Sequence, residues 1–128
     1  MRALVLTLFL VGLAACADPY IESTTVLESG SDTVGPYQVQ SVVIGSFDSD
    51  SVDLMYNPVD AKPHRYIPVR MHALDEDLRA GELFEAGIPG QPVGTTIRYY
   101  VRVLRDGEHV AESPPFGDLR PFILDILP

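Results

Sequence analysis

The chain has 128 residues, 46% of them apolar, with ten glycines and eleven prolines, which suits one turn-rich β domain with a single core and hardly allows two. Nine Lys or Arg against 18 Asp or Glu leave a net charge of −9. This argues against a nucleic-acid partner, because phosphate binding needs a basic patch.

Met1-Arg2 is followed by thirteen residues, Ala3 to Ala15, without a single charge. A short positive start, an apolar middle and small residues before a cut form the pattern of a secretory leader. As a helix the segment spans roughly 20 Å against a hydrocarbon core of about 30 Å, too short for a comfortable membrane span. Leu13-Ala14-Ala15-Cys16 resembles the bacterial lipobox, at which a lipid is attached to the cysteine sulfur and the chain is cut just before it. That chemistry needs a thiol as nucleophile and small residues that fit the peptidase. The resemblance covers the first sixteen residues. It implies a lipoprotein signal peptide over 1–15, lipid attachment at Cys16, and the membrane as a partner through that lipid; the other reading is a secreted protein cut after Ala15 with a stray thiol. In such lipoproteins an aspartate directly after the cysteine commonly causes retention in the inner membrane. The residue here is Ala17, so the resemblance implies a lipid-anchored protein of the cell envelope, in the outer membrane if the source is a diderm. With Cys16 lipidated, no thiol is left for a disulfide, and packing alone must hold the domain together.

Residues 16–35 read as a lipidated N-terminus and polar linker with a first edge strand at Thr25-Val26-Leu27. From Pro36 the apolar period becomes two, which marks strands with one buried face. Tyr37, Val39, Ser41 and Val43 share one side, with Gln38 and Gln40 opposite. Val52, Leu54 and Tyr56 form the next strand, and the two prolines of "NPVDAKP" demand a loop. Over 64–73, Ile67, Val69 and Met71 face one way and Tyr66, Arg70 and His72 the other; Pro68 on the outward side marks an edge or a bulge. Phe84, Ala86 and Ile88 follow an acidic interruption. Ile97, Tyr99, Val101 and Val103 alternate with Arg98, Tyr100 and Arg102, so a charge at Val101 should unfold the domain while one at Arg102 should be tolerated. "RDGEH" turns the chain, "SPPFGD" carries it across, and Phe122, Leu124 and Ile126 close the sheet. About seven antiparallel strands joined by Gly and Pro turns predict an all-β immunoglobulin-like sandwich over 36–128.

"IPGQPVGTTIRYYVRV" resembles the penultimate strand of bacterial Ig-like and fibronectin type III modules, and "GPYQVQSVVI" and "VDLMY" resemble their second and third strands. The resemblance covers roughly residues 35–128 and implies fold more than function, since such modules act as spacers, adhesins and binding platforms. It implies a tyrosine corner at Tyr99, or at Tyr100 if the register shifts by one, with the hydroxyl bonded near the preceding turn. The chain has no Trp and no inter-sheet disulfide, which leaves the fibronectin-like branch.

Two constellations stand out. If the strands alternate up and down as in the modules the chain resembles, the loops at 45–51, 74–80 and 105–112 share one pole and hold Asp48, Asp50, Asp75, Glu76, Asp77, Asp106 and Glu108 against Arg79 and Arg105. Calcium needs about six to eight converging oxygens, and the spacing matches no known loop, so solvated turns are the plainer reading and no metal site is assigned. On one outward sheet face, Tyr66, Arg70, Arg98, Tyr100 and Arg102, with His72 beside them, form a basic, aromatic surface in an acidic protein. Arginine forks and flat tyrosine rings suit a recognition face; the plainer reading pairs them with glutamates such as Glu82 or with one another. As a contact face it should survive Arg98→Ala with Tyr100→Ala without much loss of stability. His64, His72 and His109 have no metal-ligand spacing, and neither a nucleophile elbow nor a phosphate loop occurs, so no catalytic residue and no cofactor is assigned. The expected function is a lipid-anchored cell-envelope binding or scaffolding module without catalysis, with an envelope protein as partner. The alternative is a small-ligand module for a sugar, a peptidoglycan fragment or calcium, using the acidic loops.

Overall fold

The computed structural model describes residues 17–58, 65–74 and 81–128. Their nine strands are β1 (Tyr20–Thr24), β2 (Tyr37–Ile44), β3 (Ser51–Asn57), β4 (Ile67–Arg70), β5 (His72–Ala73), β6 (Gly81–Ile88), β7 (Thr96–Arg105), β8 (Glu108–Ser113) and β9 (Phe122–Asp125). No helix occurs among the described residues. One antiparallel sheet runs β1-β2-β6-β5. The other runs β4-β3-β7, with β8 along the Val101–Arg105 half of the far edge of β7 and β9 along its Thr96–Tyr99 half. The chain is thus an all-β sandwich of immunoglobulin-like form.

Alternation explains how the sheets meet. On β2, Tyr37, Val39, Ser41 and Val43 are buried while Gln38 and Gln40 are exposed. On β7, Ile97, Tyr99, Val101 and Val103 enter the core, where Val52, Leu54, Ile88 and Leu124 meet them. Ser41, a polar residue in this inner row, is satisfied at the edge where the sheets converge. Its hydroxyl lies 2.9 Å from Thr24 Oγ1, which donates onward to Ser113 Oγ at 3.0 Å and so ties β1 to β8.

The strand count exceeds seven for two reasons. The pattern over 64–73 divides at Met71: β4 pairs with β3, β5 pairs with β6, and Met71 is buried where the chain crosses between sheets. Residues 108–113, which look like a turn and a crossing, form β8; a register shift between Val103 and Leu104 breaks the alternation that would reveal it. The first strand lies at Tyr20–Thr24, ahead of Thr25-Val26-Leu27, so residues 20–24 are sheet and not linker. After β1 the chain crosses to the second sheet, where Gly30 bridges Ile126 in parallel and Leu127 N donates to Gly30 O at 2.8 Å.

Tyr99 is fully buried, but its hydroxyl does not return to the turn before its strand. It donates to Thr25 O at 3.0 Å and accepts from Leu27 N at 2.8 Å, so the ring pins the crossing N-terminal segment. Burial pushes its phenol pKa up, and the Leu27 N–H opposes part of that. The turn before β7 is held instead by Tyr37, whose hydroxyl donates to Asp32 O at 2.6 Å and accepts from Gln91 N at 3.2 Å. At Gly90 a Cβ would fall 2.4 Å from Val34 O, so only glycine lets these two backbones approach.

Candidate functional site

The outward face of the second sheet carries the basic and aromatic residues singled out from the sequence. Register sets two of its rows. Arg70, Asp53, Arg102 and Glu112 lie across β4, β3, β7 and β8, alternating in sign. Pro68, Met55 and Tyr100 form the next row.

Asp53 neutralises the first row. Its Oδ1 accepts from Arg70 Nε at 2.8 Å, and its Oδ2 from Arg102 Nη2 at 3.2 Å and Nε at 3.3 Å. Its side chain is 6% exposed, against 65% for Arg70. Glu112, opposite Arg102, also lies 3.4 Å from His109 Nε2. The arginines therefore find their counter-ion within the sheet, on Asp53. Glu82 lies elsewhere and accepts from Ser46 Oγ at 3.2 Å.

Tyr100 occupies an outward position yet is buried, and so are Met55 and Asn57 on the same side of β3. Over Tyr100 the segment 114–120 folds back onto the sheet. A Cβ at Gly117 would lie 2.5 Å from Tyr100 Cδ2, so the absence of a side chain lets the loop rest on the ring. Tyr66 meets Tyr100 edge to face with centroids 4.9 Å apart, and its hydroxyl reaches Asp118 O at 3.4 Å. Burial raises both phenol pKa values; mutual proximity adds to this for Tyr66, whereas Arg102 opposes it for Tyr100. Tyr66, Arg70, Tyr100 and Arg102 thus gather on one face, with Arg98 in the row of Asn57 and Ile123. His72 does not join them, because β5 belongs to the other sheet and pairs His72 with Glu85. Nor can Tyr100 be truncated at little cost in stability, given the loop above it.

Residues missed from sequence occupy that loop. Phe116 and Leu119 are 64% and 69% exposed. Phe116 holds a φ of 64°, the left-handed region a bulky side chain seldom adopts, while its carbonyl accepts from Leu119 N and Arg120 N, both at 2.8 Å. Ile123, outward on β9 opposite Arg98, is exposed as well. "SPPFGDL" sets one phenylalanine and one leucine among turn residues, and no period points either side chain outward.

At one pole, Arg105 forks onto Asp50 with Nε to Oδ1 at 2.9 Å and Nη2 to Oδ2 at 2.8 Å, and Phe47 N donates to Oδ2 at 2.8 Å. Hydrogen bonding from Arg105 holds the Asp50 carboxyl below its usual range, against the opposing effect of burial. The guanidinium lies over the Phe47 ring at 3.9 Å and also donates to Ala17 O at 3.0 Å and Gly45 O at 3.3 Å. One of the acidic residues of this pole is therefore consumed by an ion pair. Asp75, Glu76, Asp77 and Arg79 lie outside the described residues, and among the described ones no group of three or more His, Cys, Asp or Glu could hold a metal. Cys16 likewise lies outside the described residues.

At the opposite pole a cavity of about 190 Å³ is lined by Leu27, Glu28, Asp32, Tyr37, Leu124 and Ile126. Asp32 Oδ1 there accepts from Val34 N at 2.8 Å and Gly35 N at 3.2 Å.

No family model matches the chain, and no curated protein matches it. Among solved structures it is similar to the solution structure of the carbohydrate binding module of the muscle glycogen-targeting subunit of Protein Phosphatase-1. The TM-score is 0.51 at 11% identity, over 91% of this chain and 82% of that one, a likeness of fold alone: a β-sandwich built to the same plan.

Proposed function

We propose that this protein is a lipid-anchored, non-catalytic binding module of the cell envelope, which holds a protein partner against the outer face of the β4-β3-β7 sheet and the loop folded over it. One observation carries the reading. Phe116 and Leu119 expose large apolar side chains from a loop whose backbone is fixed by its own hydrogen bonds and by Gly117 seated on Tyr100. Natural surfaces rarely spend a left-handed φ on a solvated phenylalanine without a use for it. The exposed Arg70, on the same face in the row next to that of Tyr100, supplies the charged rim that a contact patch has. The anchor rests on the leader that ends at Leu13-Ala14-Ala15-Cys16.

Mass spectrometry of the protein from a bacterial host tests the anchor. An acylated Cys16 at the mature N-terminus is expected, with Cys16→Ser lost from the membrane fraction or left unprocessed; a mature terminus elsewhere sinks the anchor. For the face, Phe116→Ala with Leu119→Ala should weaken partner binding by about 2 kcal/mol or more at an unchanged melting temperature. Unaltered crosslinks in native envelope would remove this surface from consideration.

A second reading, a small-ligand module, has the cavity at Leu27 and Tyr37 behind it, together with the fold shared with a carbohydrate binding module. An apolar lining that also includes Glu28 and Asp32 suits a sugar ring, whose flat face is apolar and whose hydroxyls donate. A melting temperature that rises with a soluble oligosaccharide or peptidoglycan fragment, and no longer does so in Glu28→Lys, decides for it.

A further inference from the structure

The pole that carries Arg105 is where the described chain begins. Ala17 O is held by Arg105 Nη1 at 3.0 Å, Pro19 is buried, and Tyr20 pairs with Ile44 at once. No spacer separates Cys16 from this pole: consecutive Cα atoms are about 3.8 Å apart, so a group on Cys16 is tethered within a residue of Ala17. The same pole exposes two aromatic rings. Phe47 is 53% exposed under the Arg105 guanidinium, and Tyr20 is 58% exposed. The charge of Arg105 is met by Asp50, which leaves the stacked pair of arginine and phenylalanine an amphipathic unit, apolar in body and polar at its tip.

We infer that this pole is a membrane-contact surface: the domain stands on the bilayer by Tyr20, Phe47 and Arg105, with no freedom to swing on a tether. The inference rests on the anchor at Cys16. Aromatic rings favour the headgroup level of a bilayer, and a ring held there by its tether needs little affinity of its own. Asp18, Asp48, Asp106 and Glu108 also lie at or beside this end, all exposed, so the surface fits zwitterionic headgroups and is repelled by anionic ones. The ten residues of β7 run from this pole to the other, about 30 Å at roughly 3.3 Å per residue. The Leu27 and Tyr37 cavity therefore faces away from the bilayer, and the 45–51 loop faces it.

The chain contains no tryptophan, so one introduced indole reports on one place. The acylated full chain is reconstituted in phosphatidylcholine vesicles containing brominated lipid, as Phe47→Trp and, at the far pole, as Val93→Trp. Emission of Phe47→Trp should be quenched by at least about twofold more than that of Val93→Trp, because only the first ring reaches headgroup depth. Replacing part of the phosphatidylcholine by phosphatidylglycerol should lower the quenching. Equal quenching at the two sites, or stronger quenching at residue 93, overturns the orientation while leaving the anchor in place. A product whose Cys16 is not acylated refutes the anchor instead. Its free thiol can then be coupled to a maleimide phospholipid in the same vesicles, where an unquenched Phe47→Trp overturns the contact surface as well.

Discussion

Asp53 lies between two guanidinium groups with its side chain almost wholly covered, so its removal leaves Arg70 and Arg102 facing each other without a counter-ion. Asp53→Ala should lower stability by about 2 kcal/mol, the size expected for hydrogen bonds to a charged group that is mostly desolvated. Arg70→Ala should cost less than about 1 kcal/mol, because that side chain is largely in solvent and Arg102 still pairs with the carboxylate. Denaturant midpoints of the two variants check this, and equal losses would show that the pair is not centred on Asp53. Asp50 makes a prediction in pH. Its folded pKa lies below the unfolded value of about 3.9, so its ion pair stabilises fully above that value. The contribution is lost as pH falls from there through the lowered folded pKa, where the native carboxylate takes up its proton. Asp50→Asn should therefore be less stable at neutral pH and show a shallower decline on acidification, read from melts at several pH values. Asp50 stands out in the sequence only as one acid of a charged pole and Asp53 not at all, since each looks like a turn or outward acid until pairing brings an arginine opposite.

Strand β7 shows what alternation can and cannot give. Ile97, Tyr99, Val101 and Val103 point into the core as their period requires, and Val101→Asp should unfold the domain. Parity says only that Arg102 points the other way. Pairing puts Asp53 and Glu112 on either side of it, so Arg102→Asp would set three carboxylates in a row. That variant should also lose stability, by about 2 kcal/mol, and Arg102→Gln by less; a melting temperature matching the wild type in Arg102→Asp would contradict the register. The inner rows of β2, β3, β6 and β7 were legible because each sets every second residue against the partner sheet, whatever covers the other side. β4 and β5 were not separable, since Ile67, Val69 and Met71 keep one period while the chain changes sheets at Met71. The loop over Tyr100 escaped notice for a related reason: a strand buried on both sides, such as β3, reads as alternating as long as Asp53 and Asn57 are taken to be wet.

At the scale of the whole molecule, the N-terminal segment belongs to both sheets, pairing with β2 along β1 and bridging Ile126 through Gly30. Tyr99 clamps the crossing between them from inside the core. A domain fixed at Ala17 and pulled from its far pole carries the load along β1, parallel to the strand and perpendicular to its hydrogen bonds with β2. Those bonds are then strained together in shear, and none can be opened singly from an end. Pulled by its two termini in a single-molecule force experiment, the domain should give way in one abrupt step at high force, and Tyr99→Phe should lower that force more than it lowers the melting temperature. The way the first strand is laid in thus makes the sandwich a stiff mechanical link between whatever holds its beginning and whatever grips its other end.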